Sequence, residues 1–151
     1  MNFIGIDPGA TGALALINDD LDVLSLEDWP GDTESAAALF RSLYLEHHPN
    51  LVCLESVSAM PKQGVVSMFK LGHNLGSWQG IISAMGARHR LVRPREWQSK
   101  MFDPSTGKEP KQRSLTTARR LFPDAELHLK KHHGRSDALL IALFAAQWHS
   151  Q

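Results

Sequence analysis

The stretch FIGIDPGATGALALI, residues 3–17, decides the fold. Its first apolar run ends on the acidic residue Asp7, and the Pro-Gly and Thr-Gly pairs that follow are typical of a turn. A second apolar run begins at Ala13, and the alternating residues 21–26 predict a third strand. Because the connections between these runs are short, we expect three antiparallel strands in sequence order.

The rest of the chain alternates between helical and strand patterns. Asp32 or Thr33 can cap a helix that runs to about His47. The strand pattern LVCLE at 51–55 returns through that helix, so it should lie parallel to the first strand. Residues 64–85 predict a helix, 89–92 a fifth strand, and 94–101, 111–122 and 136–149 three further helices. The predicted fold class is α/β: a five-stranded mixed sheet, with a three-strand antiparallel meander plus two parallel strands, flanked by helices.

The composition is that of a soluble globular protein, with 151 residues, 42% hydrophobic and 21% charged. We therefore expect a single domain over 1–151. The lone cysteine, Cys53, excludes a disulfide framework and a cysteine-cluster zinc site, and reads as a small core residue. The sequence has no long apolar run and no evident signal peptide, which predicts a cytoplasmic protein without a membrane partner.

The formal net charge of zero is a cancellation between two regions. Residues 1–60 hold one basic and ten acidic residues, whereas residues 61–151 hold 15 basic and six acidic residues. Chance clustering on solvated faces is the simpler explanation. The alternative is an acidic centre next to a surface for a polyanion.

Three acidic residues stand where chemistry is expected. Asp7 and Glu55 end the first and fourth strands, and parallel neighbours would bring both carboxylates to the same edge of the sheet. Asp137 lies in the first turn of a helix with an apolar body. Each acid alone has a structural explanation, as a turn residue, a solvated strand end or a helix-dipole partner. Together they predict a Mg²⁺ site, because adjacent carboxylates repel unless a cation bridges them.

Two histidines precede the last acid. His133 comes four residues before Asp137, on the same side of the helix if the helix begins early, and could bind a metal or transfer a proton. Alternatively His132 and His133 belong to a solvated basic loop after two lysines. A carboxylate cluster holding two Mg²⁺ ions is suited to hydrolysing phosphodiesters by in-line displacement.

These motifs resemble those of RuvC-type Holliday junction resolvases, most closely the short phage and prophage versions. The resemblance rests on GIDPG at 5–9, Leu54-Glu55 and SDALLIA at 136–142, with KLG at 70–72 in support. It implies a ribonuclease H-like fold, a homodimer, and paired symmetric nicks at a four-way DNA junction in a bacterial or phage-infected cell. It also implies two Mg²⁺ ions per active site, for which Mn²⁺ can substitute, and no small-molecule cofactor.

Asp7, Glu55 and Asp137 match three of the four acids of that family as catalytic and metal-binding residues. The fourth acid, three residues before the last, falls on Gly134 here. Some members use histidine in this role, so we assign it to His133, one residue from the usual spacing, with His132 as the alternative. Many members have an aromatic residue three positions after the second acid. This chain has Ser58 there, and Met60 or Phe69 are candidates to replace it.

A basic stretch between residues 88 and 120 is expected to contact DNA. Trp97 either stacks on a base or packs in the core, and Lys111 matches a position that is basic in the family near the scissile phosphate. The predicted DNA-binding residues are Lys62, Arg93, Arg95, Trp97, Lys100, Lys108, Lys111 and Arg113. The glycines at 72, 76 and 80 lie on one side of the 64–85 helix and predict close approach of a backbone, from the sheet or from a second subunit.

Other functions share parts of this pattern. A related nuclease could act on branched or flap DNA, or on RNA in a hybrid. The actin and sugar-kinase type of nucleotide-binding domain also opens with a Gly-x-Asp-x-Gly turn, but needs two similar domains. A catalytically silent junction-binding protein would not need all three acids.

Overall fold

A computed structural model describes residues 1–58, 62–102 and 109–150. Its sheet has five strands: β1 (Asn2–Asp7), β2 (Ala13–Asn18), β3 (Val23–Asp28), β4 (Leu51–Glu55) and β5 (His89–Val92). The strand order is β3-β2-β1-β4-β5. The first three strands pair antiparallel, whereas β4 is parallel to both β1 and β5. The predicted mixed sheet is therefore confirmed.

The helices are α1 (Thr33–His47), α2 (Val65–Ala84), α3 (Pro94–Met101), α4 (Pro110–Leu121) and α5 (His133–His149). Asp32 caps α1, because its carboxylate accepts a hydrogen bond from the Ser35 backbone N–H at 2.8 Å. A short 3₁₀ turn over Lys130–His132 leads into α5, so α5 begins three residues before the predicted Ser136. Within the described ranges, no helix is long and apolar enough to cross a membrane.

The strands bury side chains on both faces of the sheet. One face, which carries Phe3 and Cys53, packs against α3, α4 and α5, whereas the other, which carries Ile4 and Leu54, packs against α1 and α2. Burial raises the pKa of the Cys53 thiol to about 12. The thiol therefore stays protonated, in agreement with its predicted place in the core.

Close contact between α5 and β1 depends on Gly5. A Cβ at this position would lie 2.2 Å from both the Ala138 carbonyl oxygen and the Ala142 backbone nitrogen. Only a glycine therefore lets the α5 backbone lie directly on β1. This contact sets the start of α5, with Asp137, beside the carboxyl end of β1.

The glycines of α2 have a different environment. Gly72, Gly76 and Gly80 are exposed, and a Cβ added at any of them would meet nothing within 4 Å. The prediction that they allow close approach to the chain's own sheet is wrong, because the buried face of α2, with Trp78 and Ile82, lies on the opposite side of the helix.

Candidate active site

Asp7 and Glu55 lie side by side at one edge of the sheet. Their strands are parallel neighbours with Ile6 paired to Leu54, so the next residue of each strand reaches the same edge. Both side chains are nearly buried, at 9% and 8% exposure. The two strand-end acids thus come together as predicted.

Both carboxylates are oriented by hydrogen bonds. The Asp7 Oδ1 accepts from the Gly9 backbone N–H at 2.9 Å, which also closes the turn after β1. The Glu55 Oε1 accepts from Trp97 Nε1 at 2.8 Å, and this indole is fully buried. Trp97 was predicted to contact DNA; the structure corrects this assignment, because a buried ring cannot stack on a base. Its packing instead holds Glu55 in place.

Asp137 reaches the same place from α5. Its Oδ1 accepts a hydrogen bond from Ser114 Oγ, on α4. Ser114 is buried and also lies 2.8 Å, oxygen to oxygen, from Ser136. Sequence reasoning missed Ser114, since a lone serine in an amphipathic helix gives no signal of its partner.

The electrostatics indicate that the three acids share one site. Burial raises the pKa of Asp7 to about 6. Burial, with the charge of Asp7 adding to it, raises the pKa of Glu55 to about 7. The pKa of Asp137 is raised well above its ordinary value by burial and then by the charges of Asp7 and Glu55. Glu55 and Asp137 therefore resist ionisation partly because the other acids are near, and a bound cation would relieve this repulsion.

The donor set fits a hard divalent cation. Three carboxylates without a thiolate form the ligand type that Mg²⁺ prefers. As the side chains stand, no three His, Cys, Asp or Glu residues in the described ranges are grouped closely enough to hold an ion. Binding a metal thus requires the carboxylates to draw together, and one oxygen of each is held by Gly9, Trp97 or Ser114.

Raised pKa values predict how the metal-free protein responds to pH. Asp7 and Glu55 favour the protonated form when folded, so their contribution to stability is complete below their ordinary pKa values and is lost as pH rises through about 6 and 7. We expect the free energy of unfolding to fall by on the order of 3 kcal/mol between pH 5 and pH 8. Scanning calorimetry in EDTA measures this, and Mg²⁺ should restore stability at pH 8. A melting temperature that rises over this range, or Asp7→Asn showing the same fall, would contradict it.

The fourth family position cannot hold an acid here. A Cβ at Gly134 would lie 1.9 Å from the Thr11 carbonyl oxygen, so no side chain fits while α5 packs against the turn between β1 and β2. The contact between α5 and this turn therefore requires glycine at position 134, which explains why no acid stands there.

The two candidate histidines face different surroundings. His133 Nε2 lies 3.4 Å from Thr11 Oγ1, and its pKa is lowered by burial and then by Lys111, which also lowers the pKa of Asp137. His132 is buried, its pKa is lowered by burial and then by Arg135, and its Nδ1 has no partner within the described chain. His133 thus shares the neighbour Lys111 with Asp137, whereas His132 belongs to the group around Arg135.

The basic residues divide between the two ends of the sheet. Arg93 and Arg95 are exposed just after β5, whose end lies beside that of β4, and Lys62 is exposed in the segment between β4 and α2. Exposed Lys111 lies at the start of α4, beside the acids. Arg113, on the same helix, is half-buried and engaged in contacts of its own.

Lys100 has a different environment from these residues. Its ammonium lies 5.4 Å and 5.7 Å from the ring centroids of Phe144 and Trp148, near the far end of α5 from Asp137. Lys100 is exposed there, away from the acids, and its contact with DNA stays a prediction. Lys108 lies outside the described residues.

Two residues were predicted to replace the aromatic residue that many family members have three positions after the second acid. Phe69 is 78% exposed on α2 and lines a groove together with Ser58, across from the end of β4. Met60 lies outside the described residues. Phe69 therefore stays a candidate for this role.

Comparison with known structures identifies the fold. RuvC of Thermus thermophilus in complex with a Holliday junction substrate superposes with a TM-score of 0.75 at 19% sequence identity, covering 99% of this chain and 95% of that chain. The chain has the RuvC fold. A second Thermus thermophilus RuvC structure gives a TM-score of 0.71 at 21% identity, covering 99% and 96%. The yeast mitochondrial Holliday junction resolvase Ydc2 superposes on this chain with a TM-score of 0.56 at 16% identity, covering 97% of this chain and 79% of that one.

The sequence also matches a known protein directly. The chloroplastic Holliday junction resolvase MOC1 of Chlamydomonas reinhardtii is 36% identical over 88 residues, 57% of this chain. The chain spans only 10% of that relative's length. No protein-family model matches the chain. The resemblance to RuvC-type resolvases inferred from the sequence motifs is thus confirmed for the fold.

Proposed function

We propose that this protein is a metal-dependent endonuclease that resolves four-way DNA junctions by paired symmetric nicks. The observation that carries the proposal is the convergence of Asp7, Glu55 and Asp137 at the edge of a RuvC-type sheet, where the charge of Asp7 raises the pKa of both other acids. Folded proteins place unpaired acids in this way at functional sites, where a cation or substrate compensates the cost.

The three acids, with His133 beside them, would hold two Mg²⁺ ions, and Mn²⁺ is expected to substitute. Bound ions would supply an activated water and stabilise the leaving 3′ oxygen. The chain's own residues orient this centre: Trp97 fixes Glu55, and Ser114 fixes Asp137. Lys111 would hold the scissile phosphate, a role supported by the effect of its charge on the pKa values of Asp137 and His133.

Exposed cations around this edge would hold the DNA backbone. Arg93 and Arg95 directly follow β5, whose end lies beside that of β4, and Lys62 is exposed in the segment between β4 and α2. Backbone contacts recognise the shape of a junction without reading its sequence. The alternatives, other branched or flap DNA and an RNA–DNA hybrid, would use the same surface.

Paired nicks need two active sites related by a two-fold axis. The exposed stripe formed by Gly72, Gly76 and Gly80 on α2 allows another backbone to approach, and no residue of the described chain covers it. We therefore propose a homodimer through α2. Sedimentation velocity measures this directly; a monomer at micromolar concentration would contradict it.

The decisive experiment uses four labelled substrates: a mobile four-way junction, a flap, a linear duplex and an RNA–DNA hybrid, each with and without Mg²⁺. Symmetric nicks on the junction that require the metal would support the proposal. Binding without cutting in either Mg²⁺ or Mn²⁺ would refute the enzymatic part, and cutting of the flap or hybrid alone would refute the junction as substrate.

His133 and His132 are expected to differ in this assay. His133→Ala should slow nicking by roughly tenfold or more, the range of general acid–base or ligand roles, because this ring lies beside Thr11 and Lys111. His132→Ala should retain the wild-type rate among folded molecules, since its ring packs near Arg135 and His128. Single-turnover rates on the junction measure both. Equal rates for the two variants would remove His133 from the site.

A further inference from the structure

A second groove lies beside the active site, where the turn after β1, the end of β3 and the helix α2 meet. Its lining includes Ala10, Trp29, Phe69, Lys70 and Asn74. Ala10 follows Gly9, whose backbone N–H is bonded to Asp7, so this wall of the groove adjoins the turn that holds that carboxylate. None of the described residues that line it is acidic.

Asn74 is the unexplained residue of this groove. Its side chain is only 7% exposed, yet it has no hydrogen-bond partner within the described part of the chain. Buried amides are almost always hydrogen-bonded, because each carries two donors and an acceptor that water would otherwise satisfy. The Asn74 amide is not among the fully enclosed atoms that lack a partner, so it opens to the groove, where a polar ligand can replace water and complete its bonds.

The other walls of the groove indicate the class of ligand. Phe69 is largely exposed at the mouth, and Trp29 is half-buried, with its ring edge-on to Trp78 at 5.5 Å between centroids. Exposed Lys70 adds a positive charge. Aromatic rings that stack on a base and a cation that meets the adjoining phosphate are the usual features of single-stranded nucleic-acid sites.

We propose that this groove binds one unpaired nucleobase of the DNA strand that reaches Asp7, with the Asn74 amide reading its edge. The inference rests on the proposed function and extends it to substrate selection. An amide can donate to and accept from a base at once, so it distinguishes bases, whereas Lys70 acts on any nucleotide. The base in the groove then sets a sequence preference for nicking.

The test places 2-aminopurine, one position at a time, in the strand of a four-way junction and in a matching single strand. Wild-type protein should change the fluorescence mainly at one position. Asn74→Leu, and Asn74→Asp as a variant of nearly equal size, should abolish that positional response. Phe69→Ala should weaken the same response, whereas its matched control Leu45→Ala, which truncates an exposed apolar side chain on α1, should leave it unchanged.

A junction library with randomised bases around the nick provides the second readout. We expect Asn74→Leu to reduce the ratio of rates between the best and worst sequences by about tenfold or more, the range of one amide–base pair. An unchanged sequence profile in both Asn74 variants, or a uniform fluorescence response at all positions, would overturn the inference. If the wild type cuts no junction but keeps an Asn74-dependent response on single strands, the proposed function fails and the base site stands.

Discussion

Replacing Asp7 with Asn should abolish nicking of a four-way junction while leaving junction binding intact. Asp7 is the acid whose charge acts on both other carboxylates, and it lies between β2 and β4 at the edge of the sheet. The amide keeps the size of the side chain and can still accept the Gly9 hydrogen bond, but it lacks the charge needed for a divalent cation. We expect the single-turnover rate to fall by roughly 1000-fold, about 4 kcal/mol of activation free energy.

The matched control is Asp20→Asn, which removes one negative charge from an exposed turn between β2 and β3. It should cut at the wild-type rate and bind with the wild-type affinity. If Asp7→Asn cut normally, Asp7 would have no part in catalysis. If it lost junction binding at an unchanged melting temperature, its role would be to form the DNA surface rather than to perform the chemistry.

Sequence alone could predict Asp7 and Glu55 because both depend on local rules. An apolar run that ends on an acid marks a strand end, and a helix between two strands makes them parallel. The two carboxylates then have to meet at one edge, as the strand register shows. His133 was expected on the same side of the last helix as Asp137 only if that helix began early, and α5 does begin at His133.

Other features depended on contacts that the sequence does not encode locally. Trp97 follows a basic stretch and reads equally well as a stacking ring or a core residue; only the packing of α3 shows that it is buried against Glu55. No sequence pattern marks Ser114 or Asn74, because the role of each depends on which element its helix packs against. Lys100 counted as part of a basic stretch, yet its position beside Phe144 and Trp148 separates it from the acids.

Two glycines explain how α5 brings Asp137 to the other acids. Gly5 gives the helix backbone access to β1, and Gly134 lets the first turn of the helix rest on the Thr11 carbonyl. A side chain at either place would push α5 away from the carboxyl end of β1. Position 134 therefore holds the glycine that this packing requires, where many members of the resembled family have an acid, and our proposal gives the role of that acid to His133.

Gly5→Ala is accordingly expected to be among the most destabilising single changes in the chain. The added methyl would stand 2.2 Å from the Ala138 carbonyl oxygen and the Ala142 nitrogen, both of which are backbone atoms of a buried helix and cannot rotate away. Forcing atoms into a packed core costs 1–3 kcal/mol when side chains can adjust, so about 3 kcal/mol or more is expected here. Thermal unfolding measures this as a fall of about 10 °C or more in the melting temperature.

The control for Gly5→Ala is Gly64→Ala, at the start of α2. A Cβ there meets only Ser67 Oγ, at 3.9 Å, and the backbone angles suit any residue, so the change should stay within about 1 kcal/mol. The second readout is nicking by the folded fraction of Gly5→Ala well below its melting temperature. If α5 shifts, Asp137 moves from Asp7 and the rate should fall with stability. A variant that melts lower but cuts at the wild-type rate would show that the methyl is accommodated without moving α5, and the link between this glycine and the active site would be broken.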